Sequence, residues 1–175
     1  MTNKFSFLFL LILTVQISAQ DFNKIIEDPK SGNPMLIGLL TPEAFTDSNF
    51  ISWFNSSYEL YEPDLRLLHP YIDELLKLRF VVVLGSWCED SQFLVPQFMK
   101  ILNEIGYPVE DLRLIAVDRE KKTPNGDTDN LNIEFVPTII IYKENTEIGR
   151  IVEYPEDSYE KDIINILNKD EEEPE

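Results

Sequence analysis

The sequence has 175 residues, of which 43% are hydrophobic and 11% aromatic, a composition that favours a folded globular chain over a disordered one. Its formal net charge of -17 disfavours contact with a phosphate backbone, so we expect no nucleic-acid partner. One cysteine and one histidine offer few ligands for a zinc or iron site, and we predict neither a metal nor a cofactor.

Residues 1–19 have the features of a secretory signal peptide. Lys4 precedes an apolar run at 5–15, and Ala19 provides a small residue before a cleavage site. The run is shorter than the roughly 20 apolar residues of a transmembrane helix. We therefore predict cleavage, no stable membrane span afterwards, and a periplasmic or secreted mature protein. An uncleaved N-terminal anchor is the alternative.

The remaining chain is predicted to form one domain at residues 35–169, after a polar, irregular arm at 20–34 and before an acidic, disordered tail at 170–175. Hydrophobic periodicity predicts strands at 35–40, 80–84, 112–117, 139–142 and 147–152, and helices at 50–61, 64–78, 93–105 and 159–167. This order predicts an α/β fold with parallel helix-linked strands and a closing hairpin.

A Trp-Cys-Glu-Asp-Ser motif directly follows the clearest strand. The unbroken apolar run at 80–84 is typical of a strand buried on both faces, and Gly85 ends it. Cys88 then begins a helical pattern. The unpaired N–H groups and the dipole of a helix N-terminus favour the thiolate, which is the nucleophile in disulfide exchange. The carboxylates of Glu89 and Asp90 oppose this ionisation.

The motif, Pro96 in the helix after it, and the Val-Pro-Thr sequence at 136–138 together resemble the thioredoxin family over about residues 78–167. More narrowly, the chain is similar to exported thioredoxin-like proteins of flavobacteria. The resemblance implies a thioredoxin fold, with a central mixed sheet flanked by helices and an N-terminal helical extension. It also implies that Cys88 is the nucleophile and that Trp87 flanks and shields it.

The same resemblance implies that Val136 presents its backbone to an extended substrate, ahead of a cis peptide bond to Pro137. Ser91 takes the position of the family's second, resolving cysteine. Its hydroxyl is able to donate a hydrogen bond to the Cys88 thiolate but not to release a mixed disulfide. Val82 takes the position of the family's buried aspartate. These two departures predict a monothiol site without ordinary reductase turnover.

We therefore predict an exported thiol–disulfide exchange protein that forms mixed disulfides through Cys88. Its partners would be protein or peptide thiols and disulfides, with release by a second substrate thiol, a small-molecule thiol or a redox partner protein. One alternative is a non-catalytic binding module that uses the groove between Trp87 and the segment 136–137. Another is an oxidant sensor that passes through a sulfenic acid. An inert buried thiol is the structural alternative for Cys88, and an ordinary turn proline is the alternative for Pro137.

Overall fold

The computed structural model describes residues 21–172, so the predicted signal peptide lies outside the described residues. A six-stranded mixed sheet has the strand order β1-β2-β4-β3-β5-β6. Its strands are β1 Lys24–Glu27, β2 Pro34–Leu40, β3 Leu78–Leu84, β4 Arg113–Ala116, β5 Thr138–Lys143 and β6 Thr146–Val152. The helices are α1 Ile51–Leu60, α2 Leu65–Leu68, α3 Ile72–Leu75, α4 Glu89–Glu104 and α5 Tyr159–Glu172.

Strands β3 and β4 are parallel, as predicted for strands joined by a helix, and the other neighbouring pairs are antiparallel. The hairpin of β5 and β6 closes the sheet on one side. The predicted mixed sheet flanked by helices is thus confirmed.

The central position of β3 accounts for its unbroken apolar sequence. Phe80, Val82 and Leu84 are buried in the main core, to which the apolar residues of the helices also belong. Val81 and Val83 face the opposite side, where the connection between β4 and β5 contributes Leu131, Ile133 and Val136. Because both faces are covered, the strand shows no polar alternation.

The prediction of an irregular arm at 20–34 is wrong for its middle part, where β1 pairs with β2. Lys24 lies opposite Ile37 and Glu27 opposite Pro34 in an antiparallel register. The strand has four residues with two isoleucines, and it lies at the sheet edge. So short a segment has too few positions to show a strand period, and its pairing depends on β2.

The single helix predicted at 64–78 is also wrong, because a 3₁₀ turn at His69–Tyr71 separates α2 from α3. Pro70 lies in this turn and has no N–H to donate to a continuous helical ladder. Of the predicted apolar face, Leu68 and Leu75 are buried, whereas Leu65 is 37% exposed.

At the other end of the chain, α5 extends past the predicted domain boundary at 169 to Glu172. Asp170 forms an ion pair with Lys143 of β5, with 2.7 Å between the two charged atoms. The first part of the predicted acidic tail is therefore helical, and residues 173–175 lie outside the described residues. In the stretch from 21 to 172, no helix is both long and apolar enough to cross a membrane.

Candidate functional site

Cys88 is the N-cap residue of α4, as its position after the buried strand predicts. Its backbone is extended, with φ of -100 and ψ of 124. The Cys88 N–H donates to the Gly85 carbonyl at 2.8 Å, and the Cys88 carbonyl accepts from the Gln92 N–H at 3.0 Å. The side chain is partly exposed and has no disulfide partner. The thiol therefore lies at the positive end of a sixteen-residue helix.

The structure brings Cys88 against the segment that contains Pro137. The Cys88 Sγ lies 3.5 Å from the Val136 carbonyl oxygen and donates a hydrogen bond to it. The Val136–Pro137 peptide bond is cis. Val136 itself is 4% exposed, so its side chain packs in the core while its carbonyl faces the sulfur.

Ser91 has a hydrogen-bond partner other than Cys88 for its hydroxyl. It is fully buried, and its hydroxyl oxygen accepts a hydrogen bond from the Gly85 N–H at 3.1 Å. Among residues 21–172, no hydrogen bond joins Ser91 to Cys88. Val82, for which the resemblance implies the position of a buried aspartate, is also fully buried and lies in the main core.

The Trp87 ring is held on several sides. Its Nε1 donates to the Val117 carbonyl at 2.8 Å, and the Arg119 guanidinium carbon lies 4.7 Å from the ring centroid. At Gly85, an added Cβ would lie 2.7 Å from Trp87 Cε2, which is closer than real Cβ contacts. The ring is thus fixed beside Cys88 by a hydrogen bond, a cation–π contact and the absence of a side chain at Gly85.

Arg119 and Asp28 also belong to the site, although no sequence motif includes them. Arg119 Nε and Nη2 donate to the Asp28 carboxylate at 3.0 and 2.8 Å. Asp28 is 1% exposed, and it also accepts hydrogen bonds from the Ser31 hydroxyl and the Lys30 N–H. The hydrogen bonds from Arg119 are the main cause that holds the pKa of Asp28 well below its usual range. No local pattern signals this pair, because its members are 91 positions apart.

Tyr154 reaches the motif from the connection between β6 and α5. Its hydroxyl donates to the Asp90 carboxylate, and this hydrogen bond is the main cause that raises the pKa of Tyr154. Tyr154 is 56% exposed. Asp90, one of the two carboxylates next to Cys88, therefore has Tyr154 as a hydrogen-bonding partner. Among residues 21–172, no group of three or more His, Cys, Asp and Glu side chains is arranged to hold a metal ion.

The Thioredoxin family model matches residues 70–169. No curated protein matches the sequence. Similar solved structures include a malarial protein, at 20% identity and a TM-score of 0.38, with 53% of this chain and 96% of that chain covered. The thioredoxin Deadhead of Drosophila melanogaster matches at 14% identity and a TM-score of 0.37, covering 58% of this chain and 89% of that one.

Thioredoxin O2 of Arabidopsis thaliana, in its oxidized state, matches at 16% identity and a TM-score of 0.36, covering 69% of this chain and 86% of that one.

The family match extends over more than half of the sequence, from the 3₁₀ turn before α3 into α5. It therefore includes both Cys88 and the segment around Val136 that meets it.

Proposed function

Since the chain belongs to the thioredoxin family, we propose that it is an exported thiol–disulfide exchange protein that acts through the single cysteine Cys88. Family membership supports thiol–disulfide redox chemistry in general. The proposal of a mechanism that uses a single cysteine rests on the position of Cys88. Its partly exposed thiol lies at the α4 N-terminus, with Sγ 3.5 Å from the Val136 carbonyl oxygen.

The first chemical step is attack by the Cys88 thiolate on one sulfur of a substrate disulfide. The substrate S–S bond breaks, a new S–S bond joins Cys88 to the substrate, and the other sulfur leaves as a thiolate. The proton lost by Cys88 goes to solvent, and the leaving thiolate takes one from solvent. The number of disulfide bonds does not change in this step.

The second step needs a thiol from outside the site. A second substrate thiol that attacks the mixed disulfide frees Cys88 and leaves the substrate with a rearranged disulfide, which is isomerisation. A small-molecule thiol or a thiol of a redox partner protein frees Cys88 by attacking the substrate sulfur of the mixed disulfide. A second such thiol then attacks the new disulfide, which releases the substrate thiol and leaves the two external sulfurs joined in a disulfide. Ser91 does not replace this thiol, because a buried hydroxyl is not a nucleophile at neutral pH.

Protein or peptide disulfides are the proposed substrates. An extended chain that lies along the Val136 backbone would place its disulfide next to the Cys88 sulfur, in the manner of strand addition. The proposed export depends on Lys4, the apolar run at 5–15 and Ala19.

The proposal is tested by incubating folded wild-type protein and Cys88→Ser with hydroxyethyl disulfide and measuring intact masses. We expect one mixed-disulfide adduct on wild type, none on Cys88→Ser, and removal of the adduct by added glutathione. If the native Cys88 stays unmodified while the unfolded protein reacts, Cys88 is not an exposed nucleophile. In that case the chain is better described as a thioredoxin-fold binding module.

A further inference from the structure

A cavity of about 370 Å³ lies between the start of the motif, the connection from β1 to β2, and the start of α1. Its floor is buried, with exposed fractions of 1% at Asp28, 2% at Phe50 and 4% at Ser86. Its rim includes the exposed residues Asn33 and Asn49. A cavity of this size, with a buried floor and an accessible rim, lies at the lower end of the range for small-ligand sites.

The cavity lies within reach of a peptide that is bound at Cys88. Ser86 and Trp87, which immediately precede Cys88, both line it. Consecutive Cα atoms are about 3.8 Å apart, so the Cα of Ser86 is within about 7.6 Å of that of Cys88. An extended peptide advances about 3.3 Å per residue. A side chain two or three positions from the substrate cysteine therefore spans a distance of this size.

Several polar groups on the cavity wall have unused hydrogen-bonding capacity. Arg119 donates hydrogen bonds to Asp28 through Nε and Nη2, and its Nη1 has no hydrogen-bond partner among the described residues. Gln92 donates through Nε2 to the Ser86 carbonyl at 2.8 Å, which leaves its Oε1 as a free acceptor. The side-chain amide of Asn33 has no partner in the described part of the chain. The wall thus offers both donors and acceptors.

The charges on the wall cancel. Asp28 and Arg119 both line the cavity and are paired with each other, so a charged ligand would find no uncompensated partner there. The chain as a whole carries a net charge of -17, which further disfavours an anionic ligand. Aromatic rings of Phe50, Trp53 and Trp87 complete the lining. Such a surface suits the flat, neutral amide of an asparagine or glutamine side chain.

We propose that this cavity is a substrate-specificity pocket that takes a neutral amide side chain two or three residues from the reactive cysteine of a peptide substrate. The peptide-substrate part rests on the proposed exchange function. Binding in the cavity itself does not require the Cys88 thiol, so the two ideas can be tested separately.

Binding is measured by fluorescence, because the two tryptophans of the chain, Trp53 and Trp87, both line the cavity. The probe is a capped pentapeptide with a central serine and with glutamine at its first and last positions, two residues from the serine. Its matched controls carry leucine or glutamate at those two positions. We expect the glutamine peptide to change the tryptophan fluorescence in a saturable way. The controls should bind at least about fivefold more weakly, a difference that corresponds to about one net hydrogen bond.

Exchange kinetics provide the second measurement. The same peptides carry a central cysteine bound to nitrothiobenzoate, whose release follows attack by Cys88. We expect the glutamine peptide to react at least about fivefold faster than the other two, because about one net hydrogen bond corresponds to a factor of this size. Asn33→Trp, which fills the rim, should abolish this preference, whereas Asn55→Trp on the exposed side of α1 should retain it. Both variants should react normally with dithiobis-nitrobenzoate, which has no peptide.

The outcomes separate the two proposals. Equal binding of the three serine peptides, or a preference that survives in Asn33→Trp, would overturn the specificity pocket. Failure of wild type to react even with dithiobis-nitrobenzoate would overturn the exchange function. The fluorescence titration would then still decide whether the cavity selects an amide-bearing peptide.

Discussion

The Ser91 hydroxyl oxygen accepts a hydrogen bond from the backbone N–H of Gly85, with 3.1 Å between the two atoms. Both residues are buried, and Gly85 lies in the turn that leads from β3 into α4. Ser91 therefore stabilises the turn that positions Cys88.

Replacing Ser91 by alanine should destabilise the fold. The variant leaves the buried Gly85 N–H without its acceptor, so we expect the free energy of unfolding to fall by about 1–3 kcal/mol. Chemical denaturation checks this value. The control is Ser48→Ala, at an exposed position, for which a change within about 0.5 kcal/mol is expected. Equal losses in both variants would contradict the role of the hydrogen bond.

Replacing Ser91 by cysteine should create a two-cysteine site. The new thiol lies one helical turn from Cys88, and we expect an internal disulfide that intact-mass measurement detects. The variant should reduce a model disulfide with turnover, while wild type should need added thiol. The rate should be modest, because Val82 supplies no proton acceptor. Cys88→Ser should be inactive in every assay but folded. Absence of an internal disulfide would count against an accessible Cys88.

Replacing Gly85 by alanine should displace Trp87. The added Cβ would lie 2.7 Å from Trp87 Cε2, so the ring must move, and overpacking of this kind costs about 1–3 kcal/mol. Gly149→Ala is a matched control, since its Cβ would lie 2.7 Å from Ile166 Cγ2. Both variants should lose stability. Only Gly85→Ala should change the tryptophan emission spectrum and the alkylation rate of Cys88, and a spectral change in Gly149→Ala would weaken the assignment.

The ion pair of Asp28 and Arg119 should make stability depend on acid pH. The pKa of Asp28 is held below its unfolded value, so its stabilising effect is complete above that value, which is about 3.9, and is lost as pH falls below it. Asp28→Asn should be less stable than wild type at pH 7, and the difference should shrink as the pH is lowered from about 5 towards 2. A constant difference across this range would contradict the interpretation.

The mature chain should begin near Gln20. The motivation is the combination of Lys4, the apolar run at 5–15 and Ala19. Intact-mass measurement on protein from the native host, with separation of cell fractions, tests this directly. A cytosolic protein that retains residues 1–19 would remove the basis for the exported location.

Local sequence patterns determined the elements that carry the motif. The unbroken apolar run predicted β3, and apolar residues at helical spacing predicted α4, with Cys88 at its start; the structure confirms both. These predictions succeed because a long buried element has apolar residues at a spacing that is typical of its secondary structure. A four-residue strand has too few positions to show a period, which is why β1 was missed. The interruption at Pro70 has a local signal, the missing N–H of proline, but the apolar spacing over 64–78 favoured a continuous helix.

Only the tertiary structure decided how the side chains around Cys88 are arranged. Asp28 meets Arg119 across 91 positions, because β1 and β4 are both antiparallel to β2 and therefore end at the same end of the sheet. The direction of the Ser91 hydroxyl is set by its burial against the turn, which the sequence motif does not specify. Such contacts join segments that are far apart in the sequence. Hydrophobic periodicity predicts which face of an element is buried, but it does not predict which other segment packs against that face.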